Sequence, residues 1–293
     1  MKKFTPLEKN KQEIGSLTIV GTPIGNISDF SERGKKALQE SDVVAAEDTR
    51  SAKKLAFLSG LTLKNIISYN ENNSVRQIKS IIEQIDSGKN VALISDAGMP
   101  LISDPGYKLV KKCIEKNIAI HNVPGPTSII SALVVSGLPT NSFYFVGFPP
   151  KKRGPRIKLL QSLTNVEVTT IWFESPKRLI SLLDEMLSVF GNRQAVVARE
   201  LTKLYEEIVR GSILFIKEEF EKRTSIRGEL VIILEPLKFI QVEKSDDELL
   251  FEIKELLKTK SLKNVVDEMV FKTGKPKSII YRVALNIKNN IEF

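Results

Sequence analysis

Short apolar runs rich in Val, Ile and Ala recur between residues 17 and 235, and most stop at a turn built of Gly, Pro or a carboxylate. Runs of that length read as buried strands, and the longer stretches between them carry helical spacing. The alternation predicts α/β architecture. Leu17 to Val20 reads as a first strand. The turn Gly21-Thr-Pro-Ile-Gly-Asn26 follows, then a helix from Ser28 or Asp29 to Glu40 with Ser28 as its cap. Asp42 to Ala46, Asn65 to Tyr69, Asn90 to Ser95 and Ile118 to Val123 read as further strands. Helices are expected over Val75 to Ile85, with Val75, Ile78, Ile81, Ile82 and Ile85 on one side, and over Tyr107 to Lys116. Pro124-Gly125-Pro126 breaks the chain and places Thr127 to cap the next helix.

A boundary is expected near Gly137-Leu-Pro-Thr140. It divides an N-terminal α/β domain (15–138, after an extension of residues 1–14) from a C-terminal α/β domain (139–236). Strands of the second domain are expected at Phe143 to Phe148, Thr169 to Glu174, Ala195 to Arg199 and Glu229 to Glu235, with a short one at Glu207 to Gly211. Its helices run over Pro176 to Phe190 and Ser212 to Glu221. After Pro236 the pattern changes to a small helical basic tail (237–293): Asp246 to Leu257, Leu262 to Lys272 and Lys277 to Ile287, the last two split at Thr273-Gly274-Lys275-Pro276 in a helix-turn-helix pattern.

Composition removes several function classes. One cysteine, Cys113, and one histidine, His121, allow no intrachain disulfide and no Cys/His zinc cluster, and they argue against a Ser-His-Asp triad. No metal is expected. The first residues are polar and no apolar run is long enough to span a bilayer, so the expectation is a cytoplasmic protein without membrane contact. The net charge of +9 points to a polyanionic partner or to a lysine-rich composition.

Open α/β sheets bind ligands beyond the carboxyl ends of their strands, where the special residues of this chain collect. The first turn, with Pro23 and Gly25, lets backbone approach a ligand, yet it is neither G-x-G-x-x-G nor G-x-x-x-x-G-K-[ST]. Asp96 to Gly106 packs two glycines and two prolines into a stiff loop suited to a ligand read by backbone; Asp96, Ala97, Gly98 and Met99 open it. Glu47 and Asp48 end a strand before Arg50, and serve either as base or as structural partner of that arginine. Glu174 and Ser175 open a helix after another strand; Arg199, Glu200 and Lys203 end the next. Pro149 to Arg156 reads as a basic loop in which Lys151, Lys152, Arg153 and Arg156 meet phosphate or only solvent. In the tail, Lys275 and Lys277 belong to a basic surface for nucleic acid or for a partner protein.

Taken in order, these segments resemble the tetrapyrrole methylase superfamily, the class III methyltransferases with two α/β domains. More narrowly they resemble ribosomal RNA small subunit methyltransferase I, a family of 16S rRNA cytidine 2′-O-methyltransferases. The segments are Val20 to Asn26, Ala46 to Arg50, Ser95 to Gly106, Val123 to Ser128, Phe145 to Phe148, Phe173 to Leu179, Arg199 to Lys203 and Arg227 to Glu229. Porphyrinoid-modifying relatives carry an acidic residue where this chain has Asn26, which favours the RNA branch. The resemblance implies S-adenosyl-L-methionine in a cleft between the α/β domains. Asp96 to Met99, Thr127 and Ser128 would hold it by backbone, and Pro23, Gly25, Pro124, Phe148, Ser175 and Gly228 would complete the site. It also implies a homodimer acting on a decoding-centre cytidine, cytidine 1402, of the small ribosomal subunit. From the residues rather than from the resemblance, Glu47, Asp48, Glu174 or Glu200 would accept the hydroxyl proton. Lys203 and Arg199 would place a phosphate, with Arg50 and the basic loop also on RNA. A small-molecule methyltransferase of the same fold, with a porphyrinoid substrate, is the alternative.

Overall fold

The computed structural model describes residues 14–237, 246–273 and 277–290. The chain divides into two compact units, Met1–Pro236 and Leu237–Phe293. The first holds two five-stranded sheets.

The first sheet is wholly parallel, in the order β3-β2-β4-β1-β5, with β1 at Leu17–Val20, β2 at Val43–Ala46, β3 at Ile66–Ser68, β4 at Val91–Ile94 and β5 at Ile120–Val123. Helices cover both faces, which is why its central strands are continuous apolar runs rather than alternating ones. α1 (Glu32–Glu40) and α2 (Thr49–Leu58) lie on one face, with Phe30, Leu38 and Ala52 against Val20, Val44 and Ile94. On the other face α3 (Ser74–Asp86) and α4 (Tyr107–Glu115) set Ile81, Ile85, Leu109 and Cys113 against Leu17, Val43 and Leu93.

The second sheet has the order β6-β7-β10-β8-β9: Phe143–Gly147, Thr169–Glu174, Leu230–Leu234, Gln194–Arg199 and Glu207–Ser212. Only β6 and β7 are parallel. On one face Trp172, Val197 and Ile232 meet α6 (Arg153–Ser162), α7 (Leu179–Phe190) and α8 (Ile213–Glu221). On the other, Ile171, Val196 and Ile233 meet Ile129, Ala132 and Leu133 of α5 (Ser128–Ser136), together with Ile24 and Leu201. The helix that closes the first half of the chain therefore packs on the sheet of the second half. Ile129, Ala132 and Leu133 of the apolar sequence SIISALVVS are buried there, while Ile130, Val134 and Val135 on its other side stay exposed.

Several expectations are corrected. Ile27–Asp29 is a 3-10 turn, and the following helix is capped by Ser31, whose hydroxyl accepts from Gly34 N–H at 3.0 Å; Ser28 is not the cap. α2 was missed: its apolar contacts are short (Ala52, Ala56), and Asp48 is its cap. Val75 is exposed while Ile81, Ile82 and Ile85 are buried, because the apolar stripe of α3 starts one turn later. Residues 149–156 are not one loop. α6 begins at Arg153, and Arg156 is buried with its guanidinium on Glu185 (Nη2 to Oε1, 2.7 Å) and on the Lys151 carbonyl at 3.0 Å. It offers nothing to a phosphate. Lys151, Lys152 and Arg153 stay exposed, with Arg153 3.5 Å from the same Glu185.

The second unit is α9 (Asp246–Leu257), α10 (Leu262–Thr273) and α11 (Lys277–Asn290). Leu249, Ile253, Val265, Val266, Met269, Ile280 and Ala284 form its core. Lys277 opens α11; Lys275 and the rest of the predicted break at 274–276 lie outside the described residues, as do residues 1–13.

Two substitutions probe this frame. Arg156→Ala takes from buried Glu185 its two-pronged partner and leaves it only the longer contact to Arg153, so unfolding free energy should fall by about 2–4 kcal/mol, whereas Lys152→Ala stays within about 0.5 kcal/mol; urea titration compares them. A Cβ on Gly125 would stand 2.7 Å from the Gly21 carbonyl carbon. Gly125→Ala should cost about 1–3 kcal/mol by forcing two backbones apart. Gly154→Ala, in open space on α6, should shift stability by no more than about 1 kcal/mol.

Candidate functional site

From β1 the chain leaves toward β2 over one face, and from the adjacent β4 it leaves toward β5 over the other. The carboxyl ends of β1 and β4 are thus a topological switch point, where diverging turns open a crevice. Two hydrogen bonds tie the turns together there: Thr22 N–H to the Gly98 carbonyl, 2.8 Å, and Gly98 N–H to the Thr22 carbonyl, 3.1 Å. Non-glycine residues with positive φ gather around the same crevice. Leu101 (74°) and Ser103 (66°) lie in the loop after β4, and Glu200 (51°) and Thr202 (66°) in the turn after β8. Backbone held so costs about 1–3 kcal/mol per residue and persists where surrounding structure enforces it.

A space of about 370 Å³ at the crevice lies between the loop after β4 and the turns of the second sheet. Of the residues expected to hold a cofactor, Ala97, Ser128, Phe148, Ser175 and Gly228 line it, joined by Asp104, Phe173 and Glu174. The Phe173 ring packs edge-on against Phe145, 5.0 Å between centroids, and lies 5.3 Å from Phe148. The Glu174 carboxylate is buried. Its Oε1 accepts from Ser175 N–H at 2.6 Å and from Arg178 at 2.6 Å, while Oε2 has no hydrogen-bond partner. Leaving a buried carboxylate oxygen without a donor costs about 1–3 kcal/mol, and Glu174 is among the residues that line this space.

A second space of about 260 Å³ abuts the first, sharing Ile24, Ala97 and Glu229. Pro23, Gly25, Asp48, Asp96 and Lys203 stand around it, over apolar side chains from α2, Leu55 and Leu58. Pro124 lines a separate shallow hollow with Thr202. Three expected cofactor residues line none of these spaces. Gly98 spends both backbone groups on Thr22; Met99 sets its sulfur against Gly21; Thr127 sits at the cap position of α5 without a side-chain cap bond.

The four carboxylates expected to act as bases have different surroundings. Asp48 caps α2 and grips Arg50 (Nη2 to Oδ2, 2.5 Å), which holds its pKa down at about 2. Of the two readings for this pair, structural partner is the one seen. Glu200 accepts from Lys203 at 2.8 Å and from Glu229 N–H at 2.9 Å, and both contacts lower its pKa. Glu174 is engaged as above. Glu47 alone is pushed up, first by burial and then by Asp104 and Asp96. Asp104 is raised as well, chiefly by burial. Sequence reasoning placed Asp104 in the loop without giving it a role; only the fold shows that it faces the larger space. Among the expected RNA contacts, Arg50 is exposed, while Arg199 is half-buried on Glu207 at 2.8 Å. Lys203 lies between Glu200 and Glu229.

Two sheets with a turn-lined crevice at a switch point are the fold of the tetrapyrrole (corrin/porphyrin) methylases, whose family model matches residues 16–214. A uroporphyrin-III C-methyltransferase from Thermus thermophilus, solved with S-adenosylhomocysteine, shares that fold. Its TM-score is 0.53 at 18% identity, over 75% of this chain and 97% of that one. Ribosomal RNA small subunit methyltransferase I of Thermotoga maritima is 44% identical over 222 residues, 75% of this chain and 98% of its own. The protein of that name in Mesorhizobium japonicum is 37% identical over 276 residues, 94% and 92% of the two chains. The chain belongs to the family of ribosomal RNA small subunit methyltransferase I.

The raised pKa of Glu47 has a consequence for stability. A carboxyl whose folded pKa lies above its unfolded value near 4.5 contributes stability at low pH that is lost as pH rises through the folded pKa. Glu47→Gln, uncharged and of the same shape, should therefore raise the urea midpoint at pH 7 and leave it unchanged at pH 3.5. A lowered midpoint at pH 7 would contradict the assignment.

Proposed function

We propose that this protein transfers a methyl group from S-adenosyl-L-methionine to the ribose 2′-hydroxyl of a decoding-centre cytidine, cytidine 1402, in 16S rRNA. The observation that carries the reading is the pair of abutting spaces at the crevice, one sized for a cofactor and one for a nucleoside. The names of the relatives and the basic charge support RNA as the substrate class.

The larger space fits the cofactor on two counts. The unpartnered Oε2 of Glu174 needs a donor, and S-adenosylmethionine carries two amino groups. Phe148 and Phe173 give an aromatic wall for an adenine ring. Ala97, Ser128, Ser175 and Gly228 would complete its enclosure. When bound, S-adenosylmethionine supplies a methyl group already activated by its sulfonium.

The protein's own work is then positioning and one proton. Leu55 and Leu58 give a base an apolar floor in the smaller space, and Lys203 stands at its edge to meet a phosphate. Hydroxyl and methyl donor would meet where the two spaces join, beside Ile24, Ala97 and Glu229, and holding them in line there supplies rate through orientation. Asp104 borders the larger space with a raised proton affinity and accepts the hydroxyl proton; Glu47, beside it, is the second candidate. Asp48 and Glu200, each tied to a cation, position neighbouring groups instead.

The decisive assay is transfer of labelled methyl to small ribosomal subunits whose 16S rRNA lacks the modification, with the product nucleoside identified by mass spectrometry. The expected product is 2′-O-methylcytidine. Asp104→Asn should lower the single-turnover rate by about 10²-fold or more while labelled cofactor still binds. Unchanged rates in both Asp104→Asn and Glu47→Gln would remove carboxylate base catalysis. Cofactor binding with no label in RNA would turn the assignment toward a small-molecule substrate.

A further inference from the structure

Away from the two spaces at the crevice, a hollow of about 420 Å³ is lined by Arg199, Arg223, Ser225, Ile226 and Arg227. Three guanidiniums in one hollow repel one another, and among the described residues one carboxylate, Glu207, is hydrogen-bonded to them. Arg223 forks onto it with both terminal nitrogens (2.8 and 2.7 Å), and Arg199 Nε reaches it at 2.8 Å. These contacts hold the Glu207 carboxyl at about 2, so it stays ionised throughout the working pH range. The Arg223 guanidinium also stacks on Phe220, 4.0 Å from the ring centroid, and Arg199 Nη1 reaches the Arg227 carbonyl at 3.3 Å. Two of the three cations are thus fixed before any ligand arrives. The third, Arg227, is exposed, and among the described residues its guanidinium has no hydrogen-bond partner. Glu219 and Glu200 act on Arg223 and Arg199 from a distance without a hydrogen bond to either, and Arg227 keeps its guanidinium free for a ligand.

The hollow is also joined to the crevice by covalent chain. Arg227 lies in it, and Gly228 and Glu229, the next two residues, wall the larger space, Glu229 bordering the smaller one as well. Two residues span at most about 7 Å. A preformed guanidinium cluster suits a singly charged group with oxygens in a fork, which is the chemistry of a phosphodiester. We propose that Arg199, Arg223 and Arg227 form a phosphodiester site that grips the RNA strand at a phosphate neighbouring the nucleotide held in the crevice. The proposal rests on the RNA reading above, and it adds Arg223 and Arg227, which that reading does not use.

The test uses the full chain with cofactor bound and a fluorescent single-stranded RNA carrying the target segment, titrated by anisotropy over a sodium chloride series. Loss of one phosphate contact on a single strand lowers the slope of log affinity against log salt by about 0.7, a factor of about five at 0.1 M salt. Arg227→Gln should show both changes, with KM for RNA raised, kcat held and labelled cofactor bound as before. Arg227→Lys should recover most of the affinity, and Lys111→Gln on α4, which removes the same charge elsewhere, should leave the slope unchanged. An unaltered slope and affinity in Arg227→Gln would overturn the proposal. So would inorganic phosphate bound by the wild type and lost in Arg227→Gln with RNA affinity intact, since the hollow would then serve a free anion. If the wild type fails to methylate small subunits and the slope still shifts, the phosphodiester site stands and the methylation assignment falls; a methylating wild type with an unshifted slope means the reverse.

Discussion

The crevice depends on backbone contact between turns far apart in sequence. Thr22 and Gly98 exchange two hydrogen bonds, and Gly21 lies so close to Gly125 that no side chain fits between them. Three turns, after β1, β4 and β5, are pinned in this way at the carboxyl end of one sheet. Ile24 then reaches from the first of them into the apolar layer shared by α5 and the second sheet. The relative placement of the two sheets follows from that layer, and with it the width of the space between Ala97 and the turns holding Glu174 and Gly228. Parallel strands at a switch point make an opening there unavoidable; the pinned turns decide its shape.

Charge is partitioned around the opening with a consistent logic. Asp48, Glu200 and Glu207 each meet a cation and each has a lowered pKa, so they are permanent anions that hold arginine and lysine side chains in place. Glu47 and Asp104 are placed oppositely, half-buried near other carboxylates, and their raised pKa values mean that charging them works against the fold. Glu174 has one oxygen clamped by Arg178 and Ser175 and the other left without a donor. Fixed anions position; destabilised carboxyls are available for proton transfer or ligand contact. Strained backbone at Leu101, Ser103, Glu200 and Thr202 lies in the same two turns, as expected where local preference yields to a site.

The strands were legible because burial on both faces demands short β-branched runs, and the expected strands at 17–20 and 169–174 coincide with β1 and β7. The amphipathic spacing of α4 and α9 was equally plain. α2 escaped because Ala52 and Ala56 give a weak apolar stripe, and its cap, Asp48, invited a catalytic reading instead. Arg156 was misread for a related reason. A run of basic residues after two prolines looks like a solvated loop, and nothing local announces that Glu185, twenty-nine residues on, draws one of them into the core.

By itself, then, the amino-acid sequence determined which segments are strands and helices, that Gly, Pro and carboxylates gather at strand ends, and that the ordered motifs resemble one methyltransferase family. Those properties follow from local sterics and from the period of apolar side chains, both written in neighbouring residues. Tertiary structure alone decided which turn residues share a cavity, that Gly98 and Met99 support it rather than line it, and which carboxylates keep a free or destabilised oxygen. Proton affinity and hydrogen-bond satisfaction depend on groups brought within a few ångströms by the fold. Spacing along the chain carries no measure of those distances.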